Sequence, residues 1–156
     1  METIPRNPIV DTGPLFDFLL WRFSEFFKIP SLLSKLRYLN NESYRKSVSW
    51  YFRVAKPITT CPQVIAEVHR LAKEKLGEDR KVRLGHFWRF AQQELKELGL
   101  SEELVQLVQM DSDTLSFLGP TDTALLEIAS SAPNLHQPIL TEDGPLTGLC
   151  QKKQVR

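Results

Sequence analysis

The chain has 156 residues, of which 42% are hydrophobic and 25% charged, and this composition predicts a single globular domain over residues 1–156. No apolar run is long enough for a membrane span, and the N-terminus lacks the basic and then apolar build of a secretory leader. The two cysteines, Cys61 and Cys150, lack the spacing of a metal site. We therefore expect a soluble cytoplasmic protein with free thiols and no membrane contact.

Charge is distributed unevenly along the chain. Residues 1–93 contain 16 Lys and Arg against nine Asp and Glu, whereas residues 94–150 contain one against ten. The asymmetry is compatible with a polyanionic ligand held beside a cation site. It is also what segregated solvated helix faces would give, and the charge pattern alone favours that simpler interpretation.

Strands and helices alternate along the predicted fold. The predicted strands cover residues 8–10, 57–60 and 138–141, and a last strand begins at residue 154. The predicted helices cover residues 15–28, 31–39, 42–54, 62–76, 80–98, 101–109, 121–131 and 146–153. A turn at Gly13–Pro14 completes the pattern, together with residues 111–119, which are either a loop or a loop that includes a short strand. The alternation predicts an α/β three-layer domain with a mainly parallel central sheet flanked by helices.

Four acids occupy comparable places in this pattern. Asp11 and Asp143 come just after predicted strands, where the carboxyl ends of parallel strands gather functional groups. Glu67 lies at the edge of the apolar stripe of its helix, and Asp122 opens a helix on the side that faces the sheet. Each acid alone also has an ordinary explanation. Asp is a turn former, Glu67 fits a solvated helix edge, and the helix dipole favours an acid in the first turn.

The order of these acids resembles that in PIN-domain nucleases, including the VapC-type toxins of toxin–antitoxin pairs. The resemblance spans nearly the whole chain in four short stretches. These are Ile9-Val10-Asp11-Thr12-Gly13-Pro14-Leu15, Ile58 to Val68 with Glu67, Leu118-Gly119-Pro120-Thr121-Asp122-Thr123-Ala124-Leu125-Leu126, and Pro138-Ile139-Leu140-Thr141-Glu142-Asp143. The spacing of 56 residues between Asp11 and Glu67 is longer than in the small toxins, which indicates a helical insertion at about residues 31–56.

The resemblance implies a Mg²⁺- or Mn²⁺-dependent endoribonuclease whose four carboxylates, Asp11, Glu67, Asp122 and Asp143, bind the metal and serve catalysis. Hard cations of this kind take carboxylate oxygens, so the residue types agree with the implied chemistry. Thr12 and Thr141 would hydrogen-bond the acids or a metal-bound water, although ordinary turn chemistry explains them equally well. The resemblance also implies RNA as substrate, with an antitoxin protein and a second copy of the chain as further partners.

The predicted insertion mixes cations with aromatic side chains, as a nucleic-acid interface does. Its cations include Arg37, Arg45, Lys46 and Arg53, and its aromatic residues include Tyr38, Tyr44, Trp50 and Tyr51. This mixture favours phosphate contacts and base stacking. A basic helix with aromatic residues in the core is the alternative, and it is preferred for Trp50 and Tyr51. A PIN-like module that binds RNA or protein without catalysis remains the second hypothesis for the whole chain.

Overall fold

The computed structural model describes residues 7–34, 41–76, 80–131 and 138–141. Within these residues the sheet has four strands: β1 (Ile9–Val10), β2 (Thr59–Thr60), β3 (Ser101–Glu102) and β4 (Ile139–Leu140). The strands are all parallel in the order β3-β2-β1-β4, so their carboxyl termini lie together at the same end of the sheet. The predicted α/β class with a parallel sheet flanked by helices is confirmed.

Helices make up most of the rest of the described chain. The α-helices are α1 (Thr12–Phe26), α2 (Glu42–Ala55), α3 (Pro62–Lys75), α4 (Arg80–Glu97), α5 (Ser112–Leu118) and α6 (Pro120–Ser131). Short 3₁₀ turns occupy Pro30–Leu32 and Leu107–Gln109. Among the described helices, none combines the length and apolar character needed to cross a membrane.

Helix α1 begins earlier than the sequence predicts. The turn expected at Gly13–Pro14 is absent, and these residues form the first helical turn directly after Asp11. A first-turn proline costs no intrahelical hydrogen bond, because the first four amides of a helix have no carbonyl partner within it. The helix therefore starts at Thr12, immediately after β1, and holds Asp11 at the junction.

Helix α1 also forms the centre of the core. It packs against α2, α3 and α4, and its Phe18 ring stacks on Phe52 of α2 with 4.5 Å between centroids. Phe23 meets Phe87 of α4 edge to face at 5.6 Å. Only the C-terminal part of this apolar helix reaches the surface, with Phe26 69% exposed. The face of α1 is thus mostly core, as an apolar helix of this kind usually is.

Two sequence predictions between β2 and α6 are wrong. Residues 101–109 were expected to be a helix, yet Ser101–Glu102 is the edge strand β3, with the amide of Ser101 donating to the Ile58 carbonyl at 2.9 Å. Pairing with β2 outweighs the local capping tendency of Ser101. The loop expected over residues 111–119 contains α5, whose N-cap Asp111 accepts the Thr114 amide at 2.9 Å.

Candidate functional site

Three of the predicted acids line one cleft at the carboxyl end of the sheet. The cleft has a volume of about 370 Å³ and receives Asp11 from the end of β1 and further residues from α1, α3, the end of α5 and the start of α6. Its lining consists of Asp11, Thr12, Gly13, Glu67, Leu118, Gly119, Pro120, Thr121 and Asp122. Asp143, the fourth predicted ligand, lies outside the described residues.

Asp11 is held at the junction between β1 and α1. It is only 7% exposed and serves as the N-cap of α1, with Oδ1 accepting the Thr12 amide at 2.7 Å. Oδ2 accepts the hydroxyl of Thr141, which follows β4, at 2.6 Å. Hydrogen bonds to both oxygens offset the cost of burying the group and fix its orientation.

Glu67 is held from two sides by threonine hydroxyls. Thr12 of α1 donates to Oε2 at 2.6 Å, and Thr121 of α6 donates to Oε1 at 2.7 Å. Both threonines are buried, whereas Glu67 is half-buried at the cleft wall. We call Thr12, Glu67 and Thr121 the threonine clasp. It joins α1, α3 and α6 across sequence separations of 55 and 54 residues.

Asp122 reaches the cleft through the turn that connects α5 to α6. Gly119 ends α5 with φ of 84°, a backbone conformation that favours glycine. The carbonyl of Gly119 accepts both the amide and the hydroxyl of Thr123, at 3.2 and 2.7 Å. This turn places Asp122, which is half-buried, in the first turn of α6, where the helix dipole favours a negative charge.

The field of these acids reaches the thiol of Cys61. Cys61 is fully buried at the N-cap of α3, and burial is the main cause that raises its pKa. The carboxylates of Asp11 and Glu67 raise this pKa further, while the amides of Val64 and Gln63 lower it. Cys61 is therefore a neutral, packed thiol behind the cleft.

The described acids bring oxygen donors to one place without forming a complete metal cage. Among residues 7–34, 41–76, 80–131 and 138–141, no group of three or more His, Cys, Asp or Glu side chains is arranged to hold a metal ion. Mg²⁺ generally keeps several waters and needs only one or two protein carboxylates. The hard-oxygen lining of the cleft is suited in chemical type to such an ion.

Thr12 and Thr141, which the sequence analysis names, each donate a hydrogen bond to an acid, but not to the same one. Thr12 donates to Glu67, and Thr141 donates to Asp11. Thr121 was missed, because its bond to Glu67 joins positions 54 residues apart. The signal available was its place directly before Asp122, in the same short stretch.

The predicted nucleic-acid-binding residues that the structure describes lie on α2. We call Arg45, Lys46 and Arg53 the α2 cations; Arg37 lies outside the described residues. Lys46 and Arg53 are exposed, and Lys46 pairs with Glu42 at 3.0 Å, one turn away. The hydrogen bond from Lys46 lowers the pKa of the Glu42 carboxyl.

The aromatic residues of α2 divide between surface and interior. Trp50 is 55% exposed, which is contrary to the preference for a core position. Tyr51 is half-buried, and burial raises the pKa of its phenol. The hydroxyl of Tyr44 donates to the buried Asp17 at 3.0 Å, which anchors α2 to α1.

Comparison of the chain with protein-family models, with curated proteins and with solved structures finds no match.

Proposed function

We propose that the chain is a Mg²⁺- or Mn²⁺-dependent endoribonuclease of the PIN type, acting at the cleft that contains Asp11, Glu67 and Asp122. The observation that supports this most directly is that these acids, distant in sequence, line one cleft at the carboxyl end of a parallel sheet. Clefts at this edge are the usual place for chemistry in open α/β sheets.

The donor set fits a hard divalent cation. Asp11, Glu67 and Asp122 supply carboxylate oxygens to the cleft, and Asp143 is proposed as the fourth ligand. When bound, the metal would lower the pKa of a coordinated water and offset charge on the scissile phosphate. The chain's own residues would fix the geometry: Thr12 and Thr121 orient Glu67, and Thr141 orients Asp11.

Recognition of RNA is assigned to α2. Its exposed cations, Lys46 and Arg53, can contact phosphates, and the exposed ring of Trp50 can stack on a base. The similarity to VapC-type toxins adds an antitoxin and self-association to the proposal, and these partners rest on that resemblance.

A non-catalytic module is the second candidate, and one observation favours it. Both oxygens of Asp11 and both oxygens of Glu67 already accept hydrogen bonds within the protein. These bonds tie α1, α3, α6 and the end of β4 together, which is a structural role that needs no metal. Such a module would bind RNA without cleaving it.

The test is incubation of labelled single-stranded and hairpin RNAs with Mn²⁺, Mg²⁺ or EDTA. An endoribonuclease cleaves with either metal and not with EDTA, and Asp11→Asn lowers the rate by at least about 100-fold. Asp113→Asn, an exposed first-turn acid of α5, is the matched control and leaves the rate unchanged. If wild type and Asp11→Asn bind RNA equally and neither cleaves it, the chain is the non-catalytic module.

A further inference from the structure

The segment after β3 is unusually acidic for its length. Residues 97–151, which include β3, α5 and α6, contain no Lys or Arg. Glu102 and Glu103 are exposed, and Glu127 of α6 is half-buried. This segment therefore adds negative charge to the surface and contains no Lys or Arg of its own to offset it.

The same segment exposes large apolar side chains. Leu104 is 73% exposed, Leu107 59% and Val108 88%. They lie within residues 104–108, shortly after the edge strand, where the regular structure is the 3₁₀ turn Leu107–Gln109. Single exposed apolar residues are ordinary, but a group within five consecutive positions indicates a binding surface.

A second cleft opens beside these residues. It has a volume of about 580 Å³, and both Glu103 and Glu127 line it together with the apolar side chains of Leu104, Val105 and Ile128. Among the described residues, none lines both this cleft and the cleft that contains Asp11. We call Glu103, Leu104, Val105 and Glu127, which all line this second cleft, the acidic apolar face.

Among the strands of the described residues, the face adjoins the outermost one, β3. Strand β3 is at the end of the order, and the amides of Ser101 and Glu103 both point to β2, bonding at 2.9 and 2.8 Å. Because successive amides of a strand point in opposite directions, the amide of Glu102 faces outward. An outward edge can accept a further strand from another protein.

We propose that the acidic apolar face binds an extended segment of a partner protein in which basic and apolar side chains alternate. Successive residues of an extended segment point to opposite sides. An alternating segment that lies along the cleft can therefore place apolar side chains on Leu104 and Val105 and cations on Glu103 and Glu127. Charge complementarity selects this occupant, since RNA, an acidic peptide or an anionic membrane would meet carboxylates of like sign. The proposal does not depend on nuclease activity.

The experiment uses the full-length chain and a fluorescein-labelled peptide of about ten residues in which Arg and Leu alternate, read by fluorescence anisotropy. Reversal of Glu103 and Glu127 to Lys should weaken binding by about tenfold or more. The matched control reverses Glu25 and Glu74, which are exposed on α1 and α3, and should change the dissociation constant by less than about twofold. Equal weakening by both pairs would mean attraction to overall charge and would overturn the proposal.

Further measurements decide where the peptide binds and which occupant the face takes. Amide NMR shifts on peptide addition should concentrate at residues 101–109 and 127–131, and shifts centred on the cleft of Asp11 would overturn the proposal. Neutralising the basic residues near the C-terminus, Lys152, Lys153 and Arg156, should leave affinity unchanged. A large gain in affinity would show that the chain's own tail competes for the face. Concentration-dependent dimerisation that the Glu103 and Glu127 reversals abolish would assign the face to a second copy.

Discussion

Removal of the hydroxyls that hold Glu67 tests the threonine clasp directly. Thr12→Val and Thr121→Val keep the β-branched shape of each side chain and delete one hydrogen bond to the carboxylate, at 2.6 and 2.7 Å respectively. A hydrogen bond to a charged group contributes about 1.5–3 kcal/mol when buried. Glu67 is half-buried and can regain water, so we expect the lower end, about 1.5 kcal/mol for each variant.

The assay is urea unfolding followed by circular dichroism, with the midpoint and the m-value both recorded. A lower midpoint at constant m-value reports a change in stability alone. Thr123→Val is the control, because Thr123 is fully buried on the same helix and its hydroxyl bonds the Gly119 carbonyl rather than Glu67.

Coupling between the two threonines identifies the clasp as one unit. The loss in free energy of unfolding in the double variant should differ from the sum of the losses in the two single variants by at least about 0.5 kcal/mol. The reason is that residues that share a partner do not act additively. If Glu67 binds metal, each clasp variant should also weaken Mn²⁺ binding by about 10–100-fold, whereas Thr123→Val should not. Additive losses and unchanged Mn²⁺ affinity would refute the reasoning.

Three further predictions concern the acids, the cations and the thiol. Asp122→Asn should abolish most RNA cleavage, whereas Glu127→Gln, on the same helix but in the lining of the second cleft, should not. Equal losses would show that the face of α6 on which the acid lies is irrelevant to activity. Charge reversal of the α2 cations should lower the slope of log affinity for RNA against log salt concentration by about 2, since fewer counterions are released; the control is an equal reversal on α3, at Arg70, Lys73 and Lys75. Because the pKa of Cys61 is raised in the folded state, its contribution to stability is complete below the ordinary thiol pKa of about 8.5 and is lost as pH rises through the folded value. Urea unfolding from pH 7 to pH 10 in a Cys150→Ser background should show this loss, and Cys61→Ala should remove it.

Local sequence signals were sufficient where one segment determines its own structure. Asp11 directly follows a short apolar strand, and Pro62 followed by a periodic apolar pattern defines the start of α3. The alternation of strand and helix segments predicted a parallel sheet. In such a sheet, Asp11 is expected at the carboxyl end, directly after its strand. These inferences need only burial periodicity and turn chemistry.

Other features depend on partners distant in sequence, so local patterns could not give them. Ser101–Glu102 has the composition of a helix start and becomes a strand because β2 offers carbonyl and amide partners. Asp111 is of a residue type that is common in loops, yet it caps α5. Glu67 alone is typical of a solvated helix edge, and only the fold brings Thr12 and Thr121 to its two oxygens.

Whether Glu67 is kept for stability or for a ligand can be decided by replacing the whole clasp. An apolar set of similar volume, with Val at positions 12 and 121 and Met at position 67, removes the charge and both hydroxyls together. Exchange of a complete buried polar group for packed apolar side chains is often neutral or stabilising, whereas loss of one member leaves the others without partners. Glu67→Met alone should therefore be less stable than the triple variant.

The triple variant separates the two roles of the clasp. If the carboxylate is kept for a metal, the free energy of unfolding of the triple variant should lie within about 1 kcal/mol of that of wild type. The same variant should lose the Mn²⁺-induced rise in melting temperature and the cleavage of RNA. Bound metal stabilises only a fold that retains its ligands, so the loss of the Mn²⁺ effect at unchanged stability would identify Glu67 as a ligand. A triple variant that is several kcal/mol less stable than wild type and still responds to Mn²⁺ would make the clasp a structural tie between α1, α3 and α6. The role of Glu67 in the proposed nuclease site would then have to be withdrawn.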